Sequence, residues 1–158
     1  MRLRLTVPVL LLLLLASCSS DEPVDKQTRL LNTLQTMEQL IEAKSLDKFM
    51  GYINDDFKSP NRDYDKKDVE RLLRIRLMRN KTIHVHQAIK RIDWYDEGDQ
   101  QVEVEVLAAM AGTDFSLTDL PSLNGDLVKF VVTFKFIDDN YIITQANYQR
   151  AHPGEFIF

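Results

Sequence analysis

The hydrophobic pattern of this chain changes its period once, near residue 81, and this change restricts the possible folds more than any other feature. Before residue 81 the apolar residues recur every three or four positions, which is the spacing of one face of an α-helix. After residue 81 apolar and polar residues alternate, which is typical of strands with one buried face. Helices followed by consecutive strands predict an α+β domain in which the N-terminal helices cover one face of an antiparallel sheet.

Three helices are predicted before the change of period. The first spans about Val24 to Lys44. Ser45 can cap a second, shorter helix, whose apolar stripe reaches Ile53 and which residues 54–56 close. Asp63 or Asp65 can cap the third helix, which continues to about residue 81.

Four antiparallel strands are predicted after the helices, at residues 82–94, 101–111, 127–137 and 141–150. In the first of them Ile92 and Trp94 break the alternation, which favours a β-bulge or a strong bend. The tail, residues 151–158, contains enough apolar residues to pack back on the domain.

The N-terminus has the layout of a secretory signal. Two arginines precede an apolar run at residues 5–15, which is shorter than the roughly 20 residues that a membrane-spanning helix needs. The sequence Leu15-Ala16-Ser17-Cys18 follows, and it resembles the lipobox of bacterial lipoproteins. The resemblance implies cleavage before Cys18, a diacylglyceryl group on its sulfur and a third acyl chain on its amine.

Three acyl chains would anchor the protein to the membrane permanently, because one chain alone gives only marginal binding. Ser19 resembles the residue of lipoproteins that are sorted to the outer membrane. We therefore expect a signal peptide at residues 1–17, a lipidated tether at 18–24 and a single domain at 25–158. The expected location is the periplasmic side of the outer membrane.

Composition argues against several classes of partner. Loss of Arg2 and Arg4 with the signal leaves 18 basic and 24 acidic residues, a net charge of about −6. A domain of this charge is not suited to nucleic acid or to an anionic membrane surface, so the lipid has to provide the membrane attachment. Cys18 is the only cysteine and has no intramolecular disulfide partner.

Two segments carry a family resemblance: Leu46-Asp47-Lys48-Phe49-Met50 leading into Asp55-Asp56-Phe57, and the closing hairpin at residues 127–136 with Tyr141-Ile142-Ile143. Together they resemble the nuclear transport factor 2-like superfamily, which includes ketosteroid isomerases and SnoaL-like cyclases. The resemblance implies a curved sheet that forms a cone with an open mouth, a short strand near Asp56 or Phe57, and a pocket in the cone. It also implies a possible homodimer through the exposed sheet face.

Candidate site residues follow from this cone. The candidate ligand-pocket residues are Tyr52, Trp94, Phe130 and Phe134. His84 and His86 share one face of a strand, which would suit a first-row metal cation, but a third ligand cannot be assigned, and exposed histidines give the same pattern. No cofactor is expected.

Basic residues crowd the third helix and its end. They are Arg71, Arg74, Arg76, Arg79 and Lys81. They can form a site for an anionic ligand or partner, or they can be a solvated face whose charges favour the C-terminal end of the helix.

The leading functional hypothesis is a non-catalytic lipoprotein that binds a small apolar ligand or serves as an accessory or scaffold subunit in the envelope. The alternative is an isomerase, cyclase or dehydratase with an acid–base pair in the cone. A polar pair at the base of the cone would favour the enzyme. An apolar cone would favour binding.

Replacement of Cys18 tests the predicted anchor. We expect Cys18→Ser to abolish incorporation of radiolabelled palmitate and to release the protein from the membrane fraction, because the acyl chains have no other attachment point. Palmitate labelling that persists in the Cys18→Ser chain would contradict the lipobox interpretation.

Overall fold

A computed structural model describes residues 25–95, 98, 100–122 and 125–156, and the predicted signal peptide and the whole predicted tether, including Cys18, lie outside them. The elements are α1 (Lys26–Glu42), α2 (Leu46–Met50), β1 (Ile53–Lys58), α3 (Lys66–Arg79), β2 (His84–Trp94), β3 (Gln101–Ala111), β4 (Gly125–Ile137) and β5 (Asn140–Arg150), with 3-10 helices at Leu117–Ser122 and Pro153–Phe156. Within the described residues, no helix combines the length and the apolar character that crossing a membrane requires.

The long helices begin at carboxylate caps. The Asp25 side chain accepts hydrogen bonds from the backbone N–H groups of Gln27 and Thr28, at 2.8 and 3.2 Å. Asp65 and Asp68 cap each other's backbone N–H in a reciprocal capping box, so Asp65 rather than Asp63 begins the third helix.

The predicted extent of the second helix is wrong. α2 ends at Met50, and the residues expected in its last turn form β1 instead. Ile53 and Phe57 are both buried, and their spacing of four positions fits one face of a strand as well as one face of a helix. β1 is the short strand that the family resemblance implies near Phe57.

The sheet has five strands in the order β1-β5-β4-β3-β2. β2 to β5 pair antiparallel, as predicted, whereas β1 pairs parallel with β5, so the sheet is mixed. The expectation of a purely antiparallel sheet is corrected by this one pairing. The register of β2 shifts between Ile89 and Arg91, so the strand has an irregularity close to the predicted break in its alternation.

The main core lies between the helices and the inner face of the sheet. α1 buries one stripe of its surface, and the inner positions of β3, β4 and β5 complete the core. Its most deeply buried members are Leu30, Val102, Val104, Phe134 and Tyr141.

A second core lies on the outer face of the same sheet. Phe115 and Leu120, from the connection between β3 and β4, and Phe156, from the C-terminal 3-10 helix, pack over β3. The β3 side chains that they cover are Leu107, Ala109 and Ala111. Phe156 is 9% exposed, so the described part of the tail packs back as expected. Gly125 enters β4 where a Cβ atom would lie 2.4 Å from the Met110 carbonyl oxygen, so this close approach requires glycine.

Both cores are built from residues 30–156. A chain of residues 18–158 therefore contains every side chain that the two cores need, and with Cys18→Ser it is the form we use in the binding experiments below.

Phe156→Ala tests the outer core. We expect it to lower the free energy of unfolding by about 3 kcal/mol, because it removes a buried aromatic ring and leaves a cavity. Urea denaturation of the two chains measures the difference. His152→Ala, at an exposed position in the same segment, should change stability by less than about 0.5 kcal/mol. Equal effects of the two variants would show that the tail is not part of the folded core.

Candidate ligand cavity

A solvent-accessible cavity of about 860 Å³ lies between the inner face of the sheet and helices α1 and α3. Most of its lining is apolar. The apolar side chains include Leu34, Met37, Ile41, Val69, Leu73, Val106, Phe130, Val132 and Phe134. A cavity of this size and composition is typical of small-molecule sites.

The cavity exists because α3 stands away from the sheet. Of the α3 residues only Leu77 is buried, while Leu72 and Ile75 keep 41% and 43% of their surface exposed. On the sheet side, Ala108 and Ala146 line the cavity with small side chains. Neither wall supplies the bulk that would fill the space between them.

The closed end of the cavity is apolar. Ile53, Phe57, Phe134 and Ile143 line it, and each is at most 6% exposed. Among the described residues no buried side-chain nitrogen or oxygen lacks a hydrogen-bond partner. An apolar ligand group at this end would therefore contact the apolar side chains of these four residues.

The open end is polar and rich in arginine. Arg76 forms an ion pair with Asp126 at the start of β4. The Arg62 guanidinium lies 4.2 Å from the centre of the Tyr148 ring. Arg79 and Arg150 also belong to the lining.

Glu38 is the titratable lining residue whose pKa is perturbed. Burial of its carboxyl, followed by the negative charge of Glu42, raises the pKa of Glu38 above its ordinary value of 4.5. The positive charge of His86 and a hydrogen bond with Gln87 act in the opposite direction. Glu38 can therefore hold a proton at a higher pH than a solvated glutamate.

The four candidate pocket residues divide into two pairs. Phe130 and Phe134 line the cavity. Tyr52 and Trp94 instead pack against the main core outside the cavity lining. Trp94 contacts Tyr141, with ring centres 6.0 Å apart, and the Lys26 Nζ atom lies over the Trp94 ring, 4.5 Å from its centre.

His84 and His86 lie on the outer side of β2, away from the cavity. The His86 Nε2 atom is 2.8 Å from the Phe115 carbonyl oxygen, and the two rings meet edge to face. Within the described residues, no group of three potential metal ligands occurs. The described structure therefore brings no third ligand to the candidate histidine pair.

The basic residues of α3 divide according to their position around the helix. Arg71 pairs with Asp68 at 2.8 Å, and Arg74 pairs with Glu70 at 2.5 Å, both on the exposed side. Arg76 and Arg79 face the cavity instead. The five basic residues of this region therefore do not form one cluster, and their phase relative to the apolar stripe of the helix is the sequence signal that distinguishes the two sets.

The outer face of the sheet is not an apolar surface. The outer core covers one half, and the other half carries a charged cluster in which Arg91 pairs with Asp93, Glu103 and Glu105. A homodimer through this face, as the family resemblance implies, would rest on charged contacts.

No protein-family model and no curated protein matches this sequence. Solved structures do match the fold. Bd1075 of Bdellovibrio bacteriovorus has a TM-score of 0.61 and 16% identity over 77% of this chain, which spans only 39% of that protein. A candidate scytalone dehydratase of Novosphingobium aromaticivorans has a TM-score of 0.60 and 11% identity, covering 80% of this chain and 84% of that one.

A nuclear transport factor 2-like protein of unknown function from Shewanella oneidensis MR-1 has a TM-score of 0.57 and 13% identity, covering 78% of this chain and 98% of that one. The fold is the nuclear transport factor 2-like cone. Identities at this level show the fold alone, and the cone carries different chemistries in different proteins.

Glu38→Gln tests the electrostatics of the cavity wall. A raised pKa means that the folded chain binds this proton more tightly than the unfolded chain does. The ionised carboxylate therefore lowers stability as pH rises above 4.5, and this cost is absent below that pH. We expect Glu38→Gln to raise the melting temperature at about pH 7 and to have little effect at about pH 3.5. A variant that is destabilised equally at both values would contradict this account.

Proposed function

We propose that this chain is a lipid-anchored protein of the bacterial envelope that binds a small apolar molecule in its cone without transforming it. The observation that carries the binding part is the cavity of about 860 Å³ with an apolar closed end. Burial of an apolar ligand against Phe134, Ile143 and their neighbours would contribute about 25 cal/mol for each Å² removed from water.

The anchoring part rests on the lipobox resemblance of residues 15–18. If Cys18 is acylated, only the six residues 19–24 separate it from Asp25, which caps α1. Six extended residues span at most about 22 Å, so the domain would stay close to the membrane.

The position of the start of α1 supports a proposal for how the cavity would be oriented relative to such an anchor. Lys26, at the start of α1, lies beside Trp94, whereas the cavity lining includes Ile41 at the other end of the helix. The helix has 17 residues and is therefore about 26 Å long. The anchor attaches at the end remote from the arginine-rich opening, which would leave that opening free to exchange ligand away from the anchoring membrane.

An enzyme is the second candidate, and Glu38 is the observation that favours it. A carboxyl whose pKa is raised and which lies in a cavity wall has the character of a general acid or base. Isomerases and dehydratases of this kind also need a second positioned donor or acceptor. Glu38 lies in the wall beside Gln87 rather than at the apolar closed end, which makes binding the better supported function.

The binding proposal is tested with N-phenyl-1-naphthylamine, an uncharged dye that fluoresces in apolar sites. We expect it to bind residues 18–158 carrying Cys18→Ser with saturable enhancement of fluorescence. Ala108→Phe places a ring on the cavity wall and should weaken this binding by roughly tenfold or more, because overpacking removes the space that the dye occupies.

Val131→Phe is the matched control. Val131 lies on β4 with its side chain on the outer face, since its neighbours Phe130 and Val132 line the cavity. It adds a ring of the same kind to the same sheet and should leave dye binding unchanged. Absence of saturable binding to the unmodified domain would favour the scaffold role over ligand binding.

A further inference from the structure

We propose that the ligand of this cavity is an amphiphile, with an apolar body and an anionic group, and that Arg62, Arg79 and Arg150 hold the anionic group at the opening. This inference rests on the proposed ligand-binding function and specifies the chemical class of the ligand. Two independent features support it: the position of the arginines at one end of the cavity and their lack of compensating charge.

The sheet register places part of this cluster. Asp126 and Val128 are two positions apart on the inner face of β4, and Arg150 of β5 pairs directly with Val128. Residues diagonal to one another across two strands are about 7–8 Å apart, so Arg150 lies near Asp126. Both therefore border the same end of the cavity.

The helices and loops bring the other arginines to the same end. The Arg76 side chain binds Asp126, and Arg79 follows it by three residues, which places the two side chains next to each other on α3. Arg62 lies over Tyr148, which precedes Arg150 by two residues on the same face of β5. Four arginines therefore surround one opening.

Few acids balance these charges. The acidic side chains in the lining are Asp126, which binds Arg76, and Glu38 on α1. Within the described part of the chain, Arg62, Arg79 and Arg150 make no ion pair. Arg71 and Arg74 show the contrast, since each is paired with an acid of its own helix.

This arrangement selects one class of ligand. The planar guanidinium group binds carboxylate, sulfonate and phosphate oxygens through two parallel N–H donors. An apolar body would lie against Phe130 and the deeper wall while the anionic group remains at the arginines. A cationic ligand would be repelled at the opening, and an uncharged one would gain nothing from the arginines.

Two dyes with the same aromatic body separate the contribution of the apolar body from that of the anionic group. N-Phenyl-1-naphthylamine is uncharged, and 8-anilinonaphthalene-1-sulfonate adds a sulfonate to the same ring system. We expect the sulfonate dye to bind the Cys18→Ser chain roughly tenfold more tightly, which is the scale of one charge-assisted interaction. Its affinity should fall as salt rises from about 0.05 to 0.5 M, while that of the uncharged dye should not fall.

Arginine variants test which residues cause the tighter binding of the sulfonate dye. Arg79→Gln combined with Arg150→Gln should remove most of the advantage of the sulfonate dye and leave the binding of the uncharged dye unchanged. Arg71→Gln combined with Arg74→Gln removes the same charge from the exposed side of α3 and should preserve the advantage. All four replaced arginines are exposed, so we expect each variant to fold, and circular dichroism checks this.

Competition then distinguishes the anionic groups. Dodecanoate and dodecyl phosphate should each displace the sulfonate dye, and their relative strength indicates whether a carboxylate or a phosphate fits better. Inorganic phosphate alone should not displace it, because it lacks the apolar body. Equal affinity for the two dyes, or equal effects of the two double variants, would overturn the inference while leaving the binding function intact. Failure of both dyes to bind would instead overturn the proposed function.

Discussion

The parallel pairing of β1 with β5 is the constraint on which the cavity depends. It includes a hydrogen bond of 2.8 Å from the Ile143 N–H to the Tyr52 carbonyl, and it places β1 at one edge of the sheet while β2 forms the other. The segment between these two edge strands contains α3, so α3 has to cross the inner face. α1 already occupies part of that face, and the space left between α3 and the sheet becomes the cavity.

The two faces of the sheet are used differently, and this asymmetry bears on assembly. The inner face is apolar and is covered by helices, whereas the outer face is half covered by Phe115, Leu120 and Phe156. These residues seal apolar β3 side chains that would otherwise need a partner. What remains of the outer face is charged around Arg91, and exposed ion pairs of this kind contribute little to association. The fold therefore stabilises itself on both faces of one sheet.

Local patterns predicted most of the fold, because helix stripes, strand alternation and carboxylate caps depend on neighbours in sequence. The pairing of β1 with β5 joins residues that are 90 positions apart, such as Ile53 and Ile143, and no local pattern predicts it. The spacing of Ile53 and Phe57 does not identify β1 either, because it fits one face of a helix as well as one face of a strand. Alternation in β4 puts Phe130 and Phe134 on one face of that strand, and both line the cavity. Tyr52 and Trp94 are candidates by residue type, and residue type does not reveal which part of the cone a side chain occupies.

The net charge of the chain, −4, and the charge of the arginines at the cavity opening have opposite signs, and distance decides which one a ligand experiences. At physiological ionic strength exposed charges are largely screened beyond about 8 Å. An anionic group at the opening lies among Arg62, Arg79 and Arg150, while the charged cluster around Arg91 lies on the opposite face of the sheet. The local arginines, rather than the net charge, would therefore determine recognition of an anionic group. Composition alone therefore describes this protein correctly as acidic and yet conceals the sign of its proposed binding site.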